Sequence, residues 1–198
     1  MNNELEKLSY SLGINVAMSL QQQGLEEVDS STFGQAIDDV MNGSELKLDP
    51  QEAGNFLNEH FTKLQSKQHE AAIQEGAAFL EANSKKEGVT TLQSGLQYQI
   101  LKEGAGAKPT IESTVTTHYH GTTIDGTVFD SSVERGTPAS FPVNGVIAGW
   151  TEALQLMTLG SKWKLFVPSQ LAYGERGAGP KIGPHTTLIF EVELLEIK

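Results

Sequence analysis

At 198 residues, the chain has room for one full-sized domain plus an accessory segment. Its 14 basic and 25 acidic side chains leave a net charge of −11, which repels phosphate backbones and argues against nucleic acid as a partner. Cysteine is absent, which excludes disulfides, thiol catalysis and thiolate metal sites.

The charge is also uneven: residues 1–88 carry 6 Lys/Arg against 15 Asp/Glu, and residues 89–198 carry 8 against 10. Two segments with different solvation tasks are expected. The start, Met1 to Leu12, is acidic and amphipathic, without the basic n-region and apolar core of a signal peptide. No apolar run approaches the roughly 18 residues that a membrane span needs. The expected location is cytoplasmic, or periplasmic if a leader has been removed, with no membrane partner.

Leu5, Leu8, Leu12, Val16 and Leu20 form one helical stripe, and Tyr10, Ile14 and Met18 form a second before Gly24 stops the helix. Both stripes need a cover, either a second subunit or the chain's own later helix. A short helix is expected over Ser31–Met41, ended by Asn42-Gly43. Asp49-Pro50-Gln51-Glu52 then supplies an N-cap, a proline at the first helical position and an acid three residues after the cap. Nothing forbids one helix from there to about Lys86, roughly 55 Å long at 1.5 Å per residue. Gly54 and Gly76 each cost it only about 1 kcal/mol. Its stretch Gln65–Glu75 is mostly polar and reads as a solvated stalk.

After Gly88 the pattern turns to short β-type runs, Gly95–Leu101, Ser113–His120, Lys162–Val167 and Thr186–Ile197. Asp125-Gly126 signals a two-residue hairpin. Ile147–Met157 is the one helical stretch here, and Gly174–Pro184 reads as a long exposed loop of the kind that carries binding function. The expected fold class is therefore α+β, with a helical segment at 1–48, a long linking helix at 49–88 and a sheet domain at 89–198.

That domain holds Tyr119, Phe129, Val146, Ile147, Trp150, Tyr173 and Phe190, more large apolar side chains than a small sheet easily spends on packing, together with a lone Asp130. No nucleophile, metal cage or phosphate loop stands beside them. Such a set suits a reaction that needs a dry aromatic pocket and little proton chemistry, such as rotation about an X-Pro amide. The barrier of about 18–20 kcal/mol is largely lost amide resonance. Polar solvent favours the charge-separated planar form, so a cavity offering the amide oxygen few donors lowers the barrier. Roughly 6–8 kcal/mol suffices for useful turnover, since each 1.36 kcal/mol is about tenfold.

The stretches Val115–Gly121, Asp125–Ser132, Val146–Trp150, Ala172–Gly174 and Pro184–Leu195 resemble, in order, the FKBP-type peptidyl-prolyl isomerases. Residues 1–88 look like the helical arm of the Mip-like members, V-shaped homodimers joined through their N-termini. The resemblance implies a five- or six-stranded antiparallel sheet wrapped around a short helix. It implies Tyr119, Asp130 and Tyr173 as catalytic residues, with Asp130 held by Tyr119 and Arg135 beside the carbonyl that precedes proline. Trp150 would be the pocket floor and Phe129, Phe190 and Tyr119 its walls. Val146, Ile147, Phe141 and Ile182 would complete the substrate-binding set, and the Ile147 N–H would bond the peptide. No cofactor is implied. The implied partners are a second copy of the chain, unfolded or proline-containing clients, and tacrolimus or rapamycin as inhibitors. The sequence departs from the family at Ala139, where many members have an aromatic wall, and at Ala178 and Lys181, where others have His and an aliphatic residue.

Plainer readings stand beside these. Phe141, Phe166 and Trp163 taken singly read as core. Asp130 before Ser131-Ser132 has the setting of a turn residue that only accepts backbone N–H groups. His118 and His120 share a strand face, but two surface histidines are the commoner reading than a zinc site completed by His185 or a carboxylate. Ser131, His120 and Asp130 lack a nucleophile elbow, and Gly174–Gly183 lacks the Gly-Lys-Ser/Thr of a phosphate loop. Ala139 also leaves open a proline-peptide-binding chaperone without turnover. A third reading makes the arm the working part and the C-terminal domain only a scaffold.

Overall fold

Side-chain oxygens open the first three helices. In the computed structural model, which describes residues 3–25 and 27–198, Asn3 caps α1 (Glu4–Gln22) by accepting the Glu6 N–H at 2.7 Å. Asp29 does the same for α2 (Ser30–Asn42) through the Thr32 N–H at 2.7 Å, and Gly43 ends it in the left-handed conformation, φ 65°. Asp49 accepts the N–H groups of Gln51 at 2.8 Å and Glu52 at 3.3 Å, which starts α3 (Pro50–Ser84) where the sequence reading expects it.

The chain divides into two compact units, residues up to Gln68 and residues from His69 onward. In the first unit α1 buries no residue, so neither apolar stripe is covered by the chain's own α3. The second unit begins inside α3, whose final turns pack on the sheet. Phe79 meets Phe166 at 6.0 Å between ring centroids. Buried Asn83 donates to Gln97 Oε1 at 2.9 Å, and Gln97 donates in turn to the Leu80 carbonyl at 2.8 Å. Gly76 makes this approach possible, since a Cβ there would lie 2.5 Å from Thr187 Oγ1. Within 65–75 only His69 and Ala72 are shielded from solvent, in keeping with a mostly polar stretch.

The sheet contains β1 (Val89–Thr91), β2 (Gln97–Lys102), β3 (Thr114–Thr123), β4 (Val128–Ser131), β5 (Ala139–Pro142), β6 (Lys162–Val167) and β7 (Leu188–Ile197). All pairings are antiparallel, in the order β1-β2-β6-β7-β3-β4, and β5 also pairs with β3. The sheet thus has seven strands, not the five or six expected. Two of them, β1 and β5, have three and four residues, too few for alternation to register in sequence. β4 and β5 share one edge of β3, opposite His120–Thr122 and Thr114–Thr117 respectively.

The β3–β4 turn also differs from expectation. Only Gly126 has a positive φ, 87°, and the Gly126 N–H donates to the Thr123 carbonyl at 3.1 Å. A two-residue type I′ hairpin needs both central residues left-handed; here Asp125 does not have a positive φ and its side chain accepts the Thr127 N–H at 3.0 Å, giving a three-residue loop closed by glycine.

β3 alternates along its length, with Val115, Thr117, Tyr119, Gly121 and Thr123 buried and the intervening residues half-exposed. The buried face lies against α4 (Ala148–Leu156), which contributes Gly149, Trp150, Ala153 and Leu154 to the core. Leu154, Leu165, Val192 and Leu194 are fully buried, each stabilising the fold by about 1.5–3 kcal/mol relative to exposure. Trp163 and Phe166 are core, as their plain reading has it. Among the described residues no helix is long and apolar enough to cross a membrane.

Candidate active site

Between α4 and the inner face of the sheet lies a cavity of about 800 Å³. Trp150 forms its floor, only 4% exposed, because the first turn of α4 points the indole toward β3 and β7. Three rings meet the indole edge-on: Phe190 at 5.3 Å, Tyr119 at 5.4 Å and Phe141 at 5.9 Å, with interplanar angles of 78–87°. Phe129 stands edge-on to Phe190 at 5.4 Å. Edge-to-face pairing locks these rings against one another, so the walls are stiff before any ligand arrives.

Val146 and Ile147 close the side next to the start of α4. Ile147 has an extended backbone and precedes the helix, so its N–H has no acceptor among the described residues. Opposite, the 174–184 segment is more ordered than an exposed loop. It holds a 3₁₀ turn at Gly174–Arg176, and the Ala178 N–H donates to the Ile182 carbonyl at 2.8 Å. Ile182 is thereby turned inward and buried. Tyr173, 40% exposed, stands at the mouth, and its hydroxyl has no partner among the described residues. All ten residues singled out from the sequence, Phe141 included, thus line one cavity.

Asp130 is the one carboxylate in the lining. The Tyr119 hydroxyl and Arg135 Nη1 both donate to it, and Arg135 Nη2 also donates to the Tyr119 oxygen at 2.9 Å. Burial opposes its charge, but the hydrogen bonds from Tyr119 and Arg135, the Arg135 charge and the Ser131 N–H outweigh burial and hold the carboxyl below the ordinary aspartate value. Burial, then the bond to Asp130, pushes the Tyr119 phenol up. Asp130 is thus an anion with its lone pairs engaged and Tyr119 a neutral donor, a pair poorly suited to proton transfer. The turn reading of Asp130 describes only part of its role, since its side chain reaches two other side chains.

Sequence reasoning overlooked Gly121. A Cβ there would lie 2.6 Å from Phe129 Cζ and 3.0 Å from Phe190 Cε1, so only a bare backbone lets both rings stand where they do. The signal available was a glycine inside an alternating strand, which often marks a close approach. His118 and His120 point away from the cavity, each with Nδ1 on a serine, Ser132 at 3.1 Å and Ser131 at 3.0 Å. His185 lies apart from them, against His69 at 5.2 Å.

A cavity floored by an indole, walled by aromatic rings and holding one paired carboxylate is thus the candidate site on an FKBP-like fold. Residues 106–195 match the family described as FKBP-type peptidyl-prolyl cis-trans isomerase, and residues 5–100 match the domain amino-terminal to it. The chain belongs to this family and is a peptidyl-prolyl cis-trans isomerase. It is 47% identical over 192 residues to the FKBP-type 22 kDa peptidyl-prolyl cis-trans isomerase of Escherichia coli K12, covering 96% of this chain and 93% of the relative. It is 43% identical to the outer membrane protein MIP of Legionella longbeachae, covering 100% of this chain and 88% of that protein. The crystal structure of FkpA from Escherichia coli superposes with a TM-score of 0.80 at 34% identity, covering 100% of this chain and 98% of that one.

Proposed function

We propose that X-Pro bonds rotate in the cavity above Trp150, with Tyr119, Asp130 and Tyr173 as the catalytic residues. Phe129, Phe141, Val146, Ile147, Trp150, Ile182 and Phe190 hold the substrate. The observation that carries this reading is the aromatic-walled cavity in whose described lining the one carboxylate is already engaged by Tyr119 and Arg135. The proline ring lies over the indole, and the Ile147 N–H and Tyr173 hydroxyl, both without a partner among the described residues, anchor neighbouring peptide carbonyls. The rotating amide leaves water for a space with few donors to its oxygen, which removes the solvation that favours its planar form. A protease-coupled proline assay tests the roles: Asp130→Ala and Tyr173→Phe should each lose activity while remaining folded by circular dichroism. Full activity in both would remove these residues from the mechanism.

The N-terminal helices act as a homodimerisation arm. Supporting this, Leu8, Tyr10, Leu12 and Met18 on α1 are each more than half exposed, an apolar surface that a soluble monomer rarely presents. An open concavity of about 840 Å³ runs along the same helix past Leu5, Tyr10 and Ile14, and a second copy would fill it. Residues 1–48 would then join the subunits, 49–88 link and 89–198 catalyse, with the last turns of α3 packed as part of the catalytic unit. Two cavities per dimer can hold one unfolded client at two points, which gives chaperone-like avidity for whole proteins over short peptides. Tacrolimus and rapamycin would compete for the cavity, with Ala139, Ala178 and Lys181 tuning their fit. For location, the name of the Legionella longbeachae relative favours the periplasmic alternative over the cytoplasm.

A further inference from the structure

Among the described residues, only two ionisable groups besides the tyrosines line the cavity, Asp130 and Lys181. Asp130 is neutralised by Arg135 in an ion pair. Lys181 has no carboxylate within ion-pair distance among the described residues; its Nζ donates instead to the Val128 carbonyl at 2.8 Å. The carbonyl takes one of three ammonium protons, and the nearest acidic residues that share a concavity with Lys181, Glu75 and Asp125, stand on its far side from the cavity lining and beyond ion-pair distance. Glu175 and Arg176 in the preceding turn carry opposite charges, and neither lines the cavity. In a chain with a net charge of −11, Lys181 is therefore the one Lys or Arg among the described residues that line the cavity.

That cation is also held in position. The Val128 carbonyl belongs to β4, two residues before Asp130, and Lys181 reaches it from the segment pinned by the Ala178–Ile182 bond. The tether orders a long side chain that would otherwise sample many rotamers, and a preordered charge loses little entropy when it meets a ligand.

We infer that Lys181 is a specificity-determining residue that selects prolines preceded by an acidic side chain and disfavours those preceded by a basic one. The inference rests on the reading that Asp130 faces the residue before proline. Lys181 is exposed, so the effect is that of a surface ion pair, about two- to fivefold in kcat/KM at low ionic strength. Salt at about 1 M shortens the screening length to about 3 Å and should erase it.

The test measures kcat/KM on the peptides Ala-Glu-Pro-Phe, Ala-Gln-Pro-Phe and Ala-Lys-Pro-Phe for the full-length protein and for Lys181→Met and Lys181→Glu, at low and high salt. The order Glu, Gln, Lys is expected for the native chain at low salt, a flat profile for Lys181→Met and the reverse order for Lys181→Glu. An order unchanged by both substitutions would overturn the inference. If the variants do not fold, a native Glu-to-Lys ratio unaffected by salt overturns it equally. Asp130→Ala on the neutral peptide separates the two claims. Lost activity with a flat charge profile sinks Lys181 alone, whereas retained activity sinks the assignment of the cavity.

Discussion

Replacing Gly121 by alanine adds one methyl group to β3 and should damage catalysis more than stability. Gly121 does not have a positive φ, so its backbone accepts alanine without strain. By itself the change stabilises a strand by about 0.5–1 kcal/mol. The new methyl would lie 2.6 Å and 2.7 Å from Phe129 Cζ and Cε2. Ordinary carbon contacts are about 3.5–4.0 Å, so the Phe129 ring must retreat by roughly 1 Å. Overpacking of this kind costs about 1–3 kcal/mol, and the half-buried ring can relieve part of it by moving toward solvent. The net loss in urea-determined stability should be about 1–2 kcal/mol. Catalysis cannot escape in the same way, because the displaced ring is a cavity wall edge-on to Phe190; a misplacement of about 1 Å can reduce rates by about 100-fold. The protease-coupled assay on a neutral tetrapeptide should show a 10- to 100-fold fall in kcat/KM. Trimming the wall in Gly121→Ala/Phe129→Leu should recover stability non-additively. A Gly121→Ala variant with native activity and stability would refute the claim that these two rings stand fixed around a bare backbone.

Acid should reveal the Asp130 network. A carboxyl held below its ordinary value contributes stability that is present above the unfolded value of about 3.9 and is lost as pH falls through the lower folded value. The urea midpoint of the native chain should therefore exceed that of Asp130→Asn at pH 6, and the two should converge below roughly pH 4. The gap will be modest, because the Asp130 side chain is 42% exposed and solvent screens it; a gap that widens in acid would contradict the assignment. A fragment starting at His69 keeps the contacts of Gly76, Phe79 and Asn83 with the sheet, and it should retain tetrapeptide activity while losing much of its effect on a refolding protein. Equal loss on both substrates would refute the division of labour. Light scattering of the full chain should give twice the mass of one chain at micromolar concentration, and a monomer mass would remove the dimer.

The helices and the long strands were legible because their signals are local. Asp49-Pro50 marks a helix start by capping chemistry alone, and β6 alternates over its first four residues before an apolar, buried end. The cavity residues were legible through their order along the chain, which no single residue carries. What escaped the sequence depends on three-dimensional approach. β1 and β5 exist because β2 and β3 offer them an edge, Gly76 is required by Thr187, far along the chain, and Gly121 by Phe129 across a strand pair and by Phe190 on β7. Asp125-Gly126 gave the right turn but the wrong length, because the dipeptide fits both a two-residue loop and a glycine-closed three-residue loop. The tether from Lys181 to Val128 spans 53 positions and leaves no pattern in composition.

The central claim is that the cavity over Trp150 lets the amide twist by desolvation, with no proton moved in the transition state. The kinetic solvent isotope effect on kcat/KM for a neutral X-Pro peptide, measured in H₂O and D₂O under conditions where chemistry limits the rate, tests it most directly. A ratio of about 1 is expected, whereas general acid–base catalysis by Asp130 or Tyr119 would give about 2 or more. A ratio in that higher range, abolished in Asp130→Asn, would contradict the mechanism.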